Sequence, residues 1–313
     1  MTDQGSLLER RTLGRTGLEV TSIAVGCAAL GGLEPYFGYD VAIDSALDTI
    51  RAAFRGPFNV LDTAPLYGES ERRLGRVIRE LGGIPPGYLV TTKADRDPTT
   101  NDFSRDQVRT SVLGSLERLG VERLPLVFLH DPEYGSFDQI AGADGAIEAL
   151  LELQEEGVVE HLGIAGGPIE LMIQFLDMGI FDVVITHNRF TLVDRSAVPL
   201  IEVAAERGVA VVNAAPYGSG ILAKGGDAHP LYRYEPAGPE TMRRVRHAEL
   251  LARYHGVPLA AVALQLSLNE PRIATTIVGM SRPDRIEETL RLATLPIPPE
   301  LWQMLASPEG RPN

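Results

Sequence analysis

The chain has 313 residues, 44% of them hydrophobic, and carries 29 Lys plus Arg against 42 Asp plus Glu, a formal charge of −13. That acidity excludes a broad nucleic-acid or anionic-membrane surface, which needs a basic face, though it leaves room for a local basic pocket. One cysteine, Cys27, excludes an intramolecular disulfide and a cysteine-built zinc site, and the length suits a single barrel domain over 1–313.

The first segment, MTDQGSLLERR, has no apolar h-region, and no run is apolar for long enough to span a bilayer. Both points predict a cytoplasmic protein. Segments 11–13 and 18–20 are strand-like pieces joined through Gly14 and Gly17, a small hairpin. SIAVG, ending at Gly26, is the first buried strand. Apolar residues at Val41, Ala42, Ala46, Leu47, Ile50, Ala53 and Phe54 predict a helix over 40–55 with one buried face. NVLD is the next strand, followed by a helix over 71–81 and a strand over 88–92. Ser104 is an N-cap, and Gln107 completes a capping box for a helix to 119.

Strand 124–129, helix 143–156, strand 161–164 and a helix from Pro168 follow. Then come strand 182–186, helix 197–207 and strand 209–213. Residues 218–238, rich in Gly, Pro, His and Tyr, read as a long functional loop. Helices over 241–255 and 258–268 flank Gly256, and strand 273–278 and helix 284–292 complete the series.

The strands are continuously apolar, as expected of strands covered on both faces. Right-handed crossovers favour parallel order. Eight strand–helix units in a chain of 313 residues predict a closed (β/α)8 barrel of the TIM type behind a short N-terminal β-hairpin. The rival is an open doubly wound sheet. It normally carries G-x-G-x-x-G after its first strand, and VGCAALGG does not match.

In a barrel, the C-terminal ends of the strands line the active-site mouth. Asp62 ends the second strand, Lys93 the third and His130 the fourth. Tyr67 follows Asp62 closely enough to turn back over the same mouth. A phenol titrates near pH 10, and a neighbouring ammonium lowers that value. Lys93 can supply the charge, and Asp62 can keep the buried amine ionised. His130 can donate to a substrate oxygen. The set predicts Tyr67 as general acid/base with an oxyanion-type helper. Taken singly, each has a structural role open to it: a turn cap, a rim aromatic, a solvated strand end, a packed imidazole. Their placement at successive strand ends favours catalysis.

RTLGRTGLEVTSIAVG, LDTAPLYGESERRLGRVI, VTTK and VFLHDPE, in this order and spacing, resemble the aldo-keto reductases, and the likeness extends over 11–292. The resemblance implies a (β/α)8 barrel that binds NAD or NADP without a Rossmann domain. It implies the catalytic tetrad Asp62, Tyr67, Lys93 and His130, and hydride transfer between nicotinamide C4 and a carbonyl or carbinol carbon. It also implies cofactor contacts at Gly26, Cys27, Asp62, Ala165 and His187. Further contacts fall on Tyr217, Gly218, Ser219, Gly220 and Leu222, and on Gly279, Met280, Ser281, Arg285, Glu288 and Thr289.

The chain departs from the family in several of these segments. Ala165 and Gly166 stand where the family carries Ser-Asn on the carboxamide, and His187 stands where it often has Gln. Ala214 replaces a ring-stacking Tyr. Gly279 replaces a Lys of NADP-preferring members, which leans towards NAD, although Ser281 and Arg282 remain available to a 2′-phosphate.

HDPE, THNRFTLVDR, NAAP and IVGM are similar to the branch holding D-threo-aldose 1-dehydrogenases, plant L-galactose dehydrogenases and pyridoxal 4-dehydrogenase. For this chain the branch implies an aldose of the L-fucose, D-arabinose or L-galactose type, oxidised at C1 to the lactone. An NADPH-dependent reductase of aldehydes and ketones stays open. So does a non-catalytic cofactor-binding subunit like the potassium-channel β subunits. Tyr36, Phe37, Tyr134, Tyr232 and Tyr234 are loop aromatics able to stack on a sugar. The expected partner is a small molecule; no metal is expected, and the choice of monomer or homo-oligomer is open.

Overall fold

The computed structural model describes residues 10–306. The first nine residues, on which the leader reading rests, lie outside the described residues, as does the side chain of Tyr36. Eight parallel strands form a closed barrel: β1 (Ile23–Gly26), β2 (Val60–Asp62), β3 (Leu89–Ala94), β4 (Leu124–His130), β5 (Val159–Gly166), β6 (Val183–His187), β7 (Ala210–Ala214) and β8 (Ile273–Gly279). Each pairs with the next, and β8 returns to β1 through Thr276–Ile23 and Gly279–Gly26. Closure excludes the open-sheet alternative.

Around the barrel run α1 (Ile43–Ala53), α2 (Ser70–Glu80), α3 (Arg105–Leu119), α4 (Ala146–Glu155), α5 (Ile169–Leu176) and α6 (Val198–Glu206). After β7 come α7 (Pro239–Tyr254) and α8 (Leu259–Leu268), and after β8 come α9 (Asp284–Thr294) and α10 (Pro299–Leu305). Helix α10 is the one described element of this size that the sequence pattern did not signal. Among the described residues no helix is long and apolar enough to cross a membrane.

The apolar strands sort by period two. Ala24, Val60, Leu126, Phe128, Val183, Ile185, Ala210, Val212 and Ile277 point into the barrel and form its inner cluster. Their neighbours Ile23, Val25, Leu61, Val127, Leu129, Val184 and Val211 face the helices. The expected hairpin pairs Arg10–Thr12 with Glu19–Thr21 in antiparallel register. Its Leu13 and Val20 join the inner cluster beside Ala24, Val60 and Leu89, so it plugs the N-terminal end of the barrel. Behind β3, Glu71 is 1% exposed; it accepts from the Thr92 hydroxyl at 2.5 Å and from Arg118 Nε at 2.6 Å. One buried carboxylate thus ties α2 and α3 to the strand that carries Lys93.

Three local expectations change. Ser104 caps α3 by accepting from the Gln107 N–H at 3.4 Å, but the box is not closed. The Gln107 amide donates instead to the Asp95 carbonyl at 3.2 Å, and the Ser104 N–H goes to Asp102 at 2.8 Å. The helix expected from 143 starts at Ala146, because Gly142 and Gly145 form a turn after a short helix, Phe137–Ala141. The segment 218–238 is not bare loop. It holds a 3-10 turn at Gly218–Gly220, a helical turn at Ile221–Lys224 and a ribbon pairing Leu231–Tyr232 with Glu235–Pro236.

The plug generates a stability prediction. Leu13 is 2% exposed, so Leu13→Ala opens a cavity and is expected to cost about 2–5 kcal/mol, measured as a lower urea midpoint at unchanged slope.

Candidate active site

The inward register that builds the core also builds the site. Continuing it one step past the apolar layer brings Asp62, Lys93, His130 and His187 to the C-terminal mouth. Asp62 stands beside Thr91, Lys93 beside Phe128 and His130 beside Ala165 in the strand registers. Asp62 is 3% and Lys93 2% exposed. Lys93 Nζ donates to Asp62 Oδ2 at 2.8 Å and to the Thr63 carbonyl at 2.8 Å. The Thr91 hydroxyl donates to the other Asp62 oxygen at 3.0 Å. The amine is therefore paired and bonded, as a buried charge must be.

Tyr67 is carried by the loop after β2. Its ring centroid lies 4.8 Å from Lys93 Nζ, and 5.7 Å from the His130 ring, which it meets edge to face at 84°. The loop is fixed by close packing on Gly31. A Cβ there would fall 1.7 Å from the Tyr67 carbonyl oxygen, and Gly31 itself accepts from the Glu69 N–H at 2.9 Å. The four residues singled out from the sequence thus lie together at the barrel mouth.

The electrostatics differ from the expectation at Tyr67. Burial pushes its phenol well above its ordinary value, and Asp62, Asp131, Tyr234 and Asp95 push the same way. The Lys93 ammonium, paired with Asp62, does not outweigh these effects. In the free protein Tyr67 is a protonated phenol. Burial alone would lower His130, but Asp131 and Asp95 outweigh it, and the imidazole sits above its ordinary value. His130 Nδ1 lies 2.5 Å from Asp95 Oδ1, and Nε2 lies 3.6 Å from Asp131 Oδ1. Burial would raise Asp95, yet His130, the Leu66 N–H and Lys93 bring its carboxyl below the usual range.

Asp95 was missed by the sequence reading. It is the next inward position after Lys93, so a period-two count from that lysine was the available signal. Glu133 was also missed, although it closes the HDPE segment. It accepts from the Gly167 N–H at 3.0 Å, and its Oε2 is buried with no partner. A Cβ on Gly166 would fall 2.9 Å from that oxygen. The Glu133 carboxylate thus occupies the space where a side chain at 166 would begin. Asp131, Glu133 and His187 converge, each bringing one oxygen or ring nitrogen within 4.8 Å of the others. Burial is the main cause that lowers the His187 imidazole below its ordinary value.

The expected cofactor positions fall into distinct groups. Arg285, Glu288 and Thr289 lie on one face of α9. Arg285 pairs with Glu288 at 2.9 Å, and both act electrostatically on Tyr217. The Tyr217 hydroxyl and Thr289 Oγ1 are buried without hydrogen-bond partners. Gly279 is exposed, with open space where its Cβ would be, and Ser281 is half-buried. These orphaned donors beside an arginine fit a polar dinucleotide. In the loop, the N–H groups of Gly218, Gly220 and Leu222 already bond to Ala215 or Tyr217 carbonyls, so Ser219 (φ 61°) has the N–H without a described partner.

Cys27 and Met280 lie deep in their segments. Both are fully buried, and the Cys27 N–H and carbonyl are engaged by Asp62, Leu30 and Ser70. The pleat turns the Cys27 thiol towards the helices, where burial pushes it up. Gly26, Ala165 and Leu222 are also buried.

Of the loop aromatics, Phe37 and Tyr234 meet edge to face at 6.0 Å. Tyr134 stacks on Arg96 at 3.8 Å. Tyr232 faces inward instead, its hydroxyl donating to the Asn188 carbonyl at 2.5 Å. Asp131, Asn188, Ala215, Ser219, Arg233 and Tyr234 all take left-handed φ values without being glycine. Such strain persists where the surroundings over-determine it.

A buried Lys–Asp pair thus lies beneath a phenol and an imidazole at the mouth of a closed (β/α)8 barrel. Residues 22–308 match the Aldo/keto reductase family. The chain belongs to that family and is an NAD(P)-dependent oxidoreductase. It is similar to L-galactose dehydrogenase of Arabidopsis thaliana, 35% identical over 292 residues covering 92% of this chain and 88% of that protein. It is similar to D-threo-aldose 1-dehydrogenase of a Pseudomonas species, 29% identical with 93% and 94% covered. Among solved structures, an aldo-keto reductase of Bacillus halodurans in its holo form aligns at TM-score 0.77 and 25% identity, over 97% of this chain and 98% of that one. The branch read from the short segments is the one these relatives represent.

Asp62→Ala is expected to leave the Lys93 ammonium buried and unpaired, at a cost of about 3–5 kcal/mol. The double variant Asp62→Ala/Lys93→Met should recover much of that loss in urea unfolding; a double variant no more stable than the single would remove the charge explanation.

Proposed function

We propose that this oxidoreductase oxidises an aldose of the L-galactose, L-fucose or D-arabinose type at C1 to the lactone, with Tyr67 as the proton-transfer residue. The observation that carries the proposal is the Lys93–Asp62 pair set beneath Tyr67, with His130 edge-on to the same ring. The substrate class follows the names of the two relatives, both dehydrogenases of sugars.

A nicotinamide dinucleotide, held at Tyr217, Arg285 and Thr289, would supply the hydride acceptor for the C1 carbon. The chain supplies the rest. Lys93, held by Asp62, keeps a positive charge below the phenol. Tyr67 takes the hydroxyl proton as the C–H electron pair leaves, and returns it in the opposite direction. His130, in its imidazolium form, donates to the reacting oxygen and orients it. Glu133 and His187 supply the polar contacts that Ala165 and Gly166 lack, the unpartnered Glu133 oxygen being placed to accept from an amide.

NAD is favoured over NADP. Gly279 offers no side chain, and Arg282 is paired with Asp284 at 2.8 Å and Glu288 at 3.2 Å. No cation stands ready for a 2′-phosphate among Gly279, Ser281 and Arg282. The same reading makes the chain a single cytoplasmic barrel domain acting on a small molecule, with no nucleic-acid or membrane partner.

Two experiments test the proposal. Initial rates of NAD reduction with L-galactose, L-fucose and D-arabinose should exceed those with NADP. Good NADPH-linked reduction of simple aldehydes without any sugar oxidation would instead make the chain a carbonyl reductase, and tight cofactor binding without turnover would make it a regulatory subunit. Tyr67→Phe should lower kcat by about 10²–10⁴-fold while the Kd for NAD, read by fluorescence quenching, stays unchanged. Near-normal turnover would take Tyr67 out of the reaction.

A further inference from the structure

Tyr67 begins as a protonated phenol, so in the oxidative direction its own proton must move on as it accepts the substrate's. The neighbouring imidazole is that of His130, whose ring meets that of Tyr67 edge to face with 5.7 Å between centroids. What sets His130 up is Asp95, 2% exposed and 2.5 Å from Nδ1. Asp95 is itself rigidly held. Its Oδ2 accepts from the Leu66 N–H at 2.8 Å, and its N–H donates to Ser111 Oγ at 2.9 Å. One carboxylate therefore bonds both the imidazole and the loop residue next to Tyr67.

We propose that Asp95 is a positioning residue that holds the His130 proton on Nδ1 and so makes Nε2 the terminal proton acceptor of the oxidative reaction. The inference rests on the aldose-oxidising reading and deepens it. The carbinol C–H pair leaves as hydride to the oxidised nicotinamide. The hydroxyl proton passes to the Tyr67 oxygen as the Tyr67 proton passes to His130 Nε2. The imidazolium that results lies between Asp95 and Asp131, which offset its charge. A carboxylate that fixes the tautomer of a base and steadies its charged form is a recurrent arrangement in proton-transfer sites. The other groups facing His130 are Lys93, which disfavours its charged form, the Tyr67 phenol and His187.

The test combines kinetics with nitrogen NMR on the intact protein. In the wild type, above the titration of His130, the ¹⁵N shifts should show Nδ1 protonated and Nε2 bare; the reverse tautomer overturns the proposal. His130→Gln assigns the signals. With NAD and L-galactose, kcat/KM should rise with pH along a limb whose midpoint matches the His130 titration. Asp95→Asn removes a negative charge from Nδ1, so both midpoints should move to lower pH by ~1–2 units, with the Kd for NAD unchanged. A limb that stays in place while kcat falls uniformly makes Asp95 merely structural and overturns the inference, as does a limb that survives in His130→Gln. Should Asp95→Asn not fold, the wild-type tautomer and the His130→Gln profile still decide. Absence of sugar oxidation together with the expected tautomer sinks the aldose reading and supports the Asp95 assignment.

Discussion

The site depends on one unfavourable act of burial: an ammonium and a carboxylate, Lys93 and Asp62, held almost entirely out of water at 2.8 Å. Removing two charges from solvent costs several kcal/mol each, and their attraction recovers this only when the remaining hydrogen-bonding capacity is met. Here it is met by the Thr63 carbonyl and the Thr91 hydroxyl. Apolar side chains of similar volume would fill the same space at less cost. The inner layers below, built from Val60, Leu126, Phe128, Ile185 and Val212, show that the barrel packs that way where no chemistry is required. The pair is thus better understood as a fixed field than as a contribution to stability.

That field is not simply cationic. Asp62 balances Lys93, and the surplus around the mouth comes from Asp95, Asp131 and Glu133. Burial first, then Asp62, Asp131, Tyr234 and Asp95, hold the phenol protonated although an ammonium lies under its ring. Asp131 and Asp95 in turn outweigh burial at His130 and hold its imidazole above its ordinary value. The proton inventory of the resting site is therefore one phenol proton and an imidazole between two carboxylates. The strained backbone at Asp131 and Asn188 belongs to the same arrangement, since the left-handed turn after each strand end lets consecutive residues present side chains at one mouth.

Much of this was legible in the sequence because a barrel strand obeys two simple rules at once: apolar on both faces, and inward at every second residue. Those rules give the strand series, and with it the convergence of Asp62, Lys93 and His130, without any knowledge of contacts. What was not legible depends on interactions that no periodicity encodes. Gln107 left its capping box because Asp102 takes the Ser104 N–H and the Gln107 amide donates to the Asp95 carbonyl. Tyr232, read as a rim aromatic, turned inward because Asn188 and Thr191 provide a buried seat for its hydroxyl. Cys27 falls at the turn after a strand, where one residue of offset decides between the mouth and the helical layer. The Tyr67 electrostatics differ for a similar reason: burial and the surrounding acids outweigh the one ammonium that the strand order places beside it.

Asp95 shows where the two kinds of information meet. Its position was available from the inward count that found Lys93, yet nothing in the residue type marks it as more than a loop acid. Only the three-dimensional arrangement makes it distinctive: one oxygen on His130, the other on the backbone beside Tyr67. A carboxylate shared in this way couples the orientation of the imidazole to the placement of the phenol. The tetrad is then not four independent strand-end groups but two linked pairs. Asp62 governs Lys93 from one wall of the barrel, and Asp95 governs His130 from the next. Tyr67 lies between them and is the member whose proton both pairs influence.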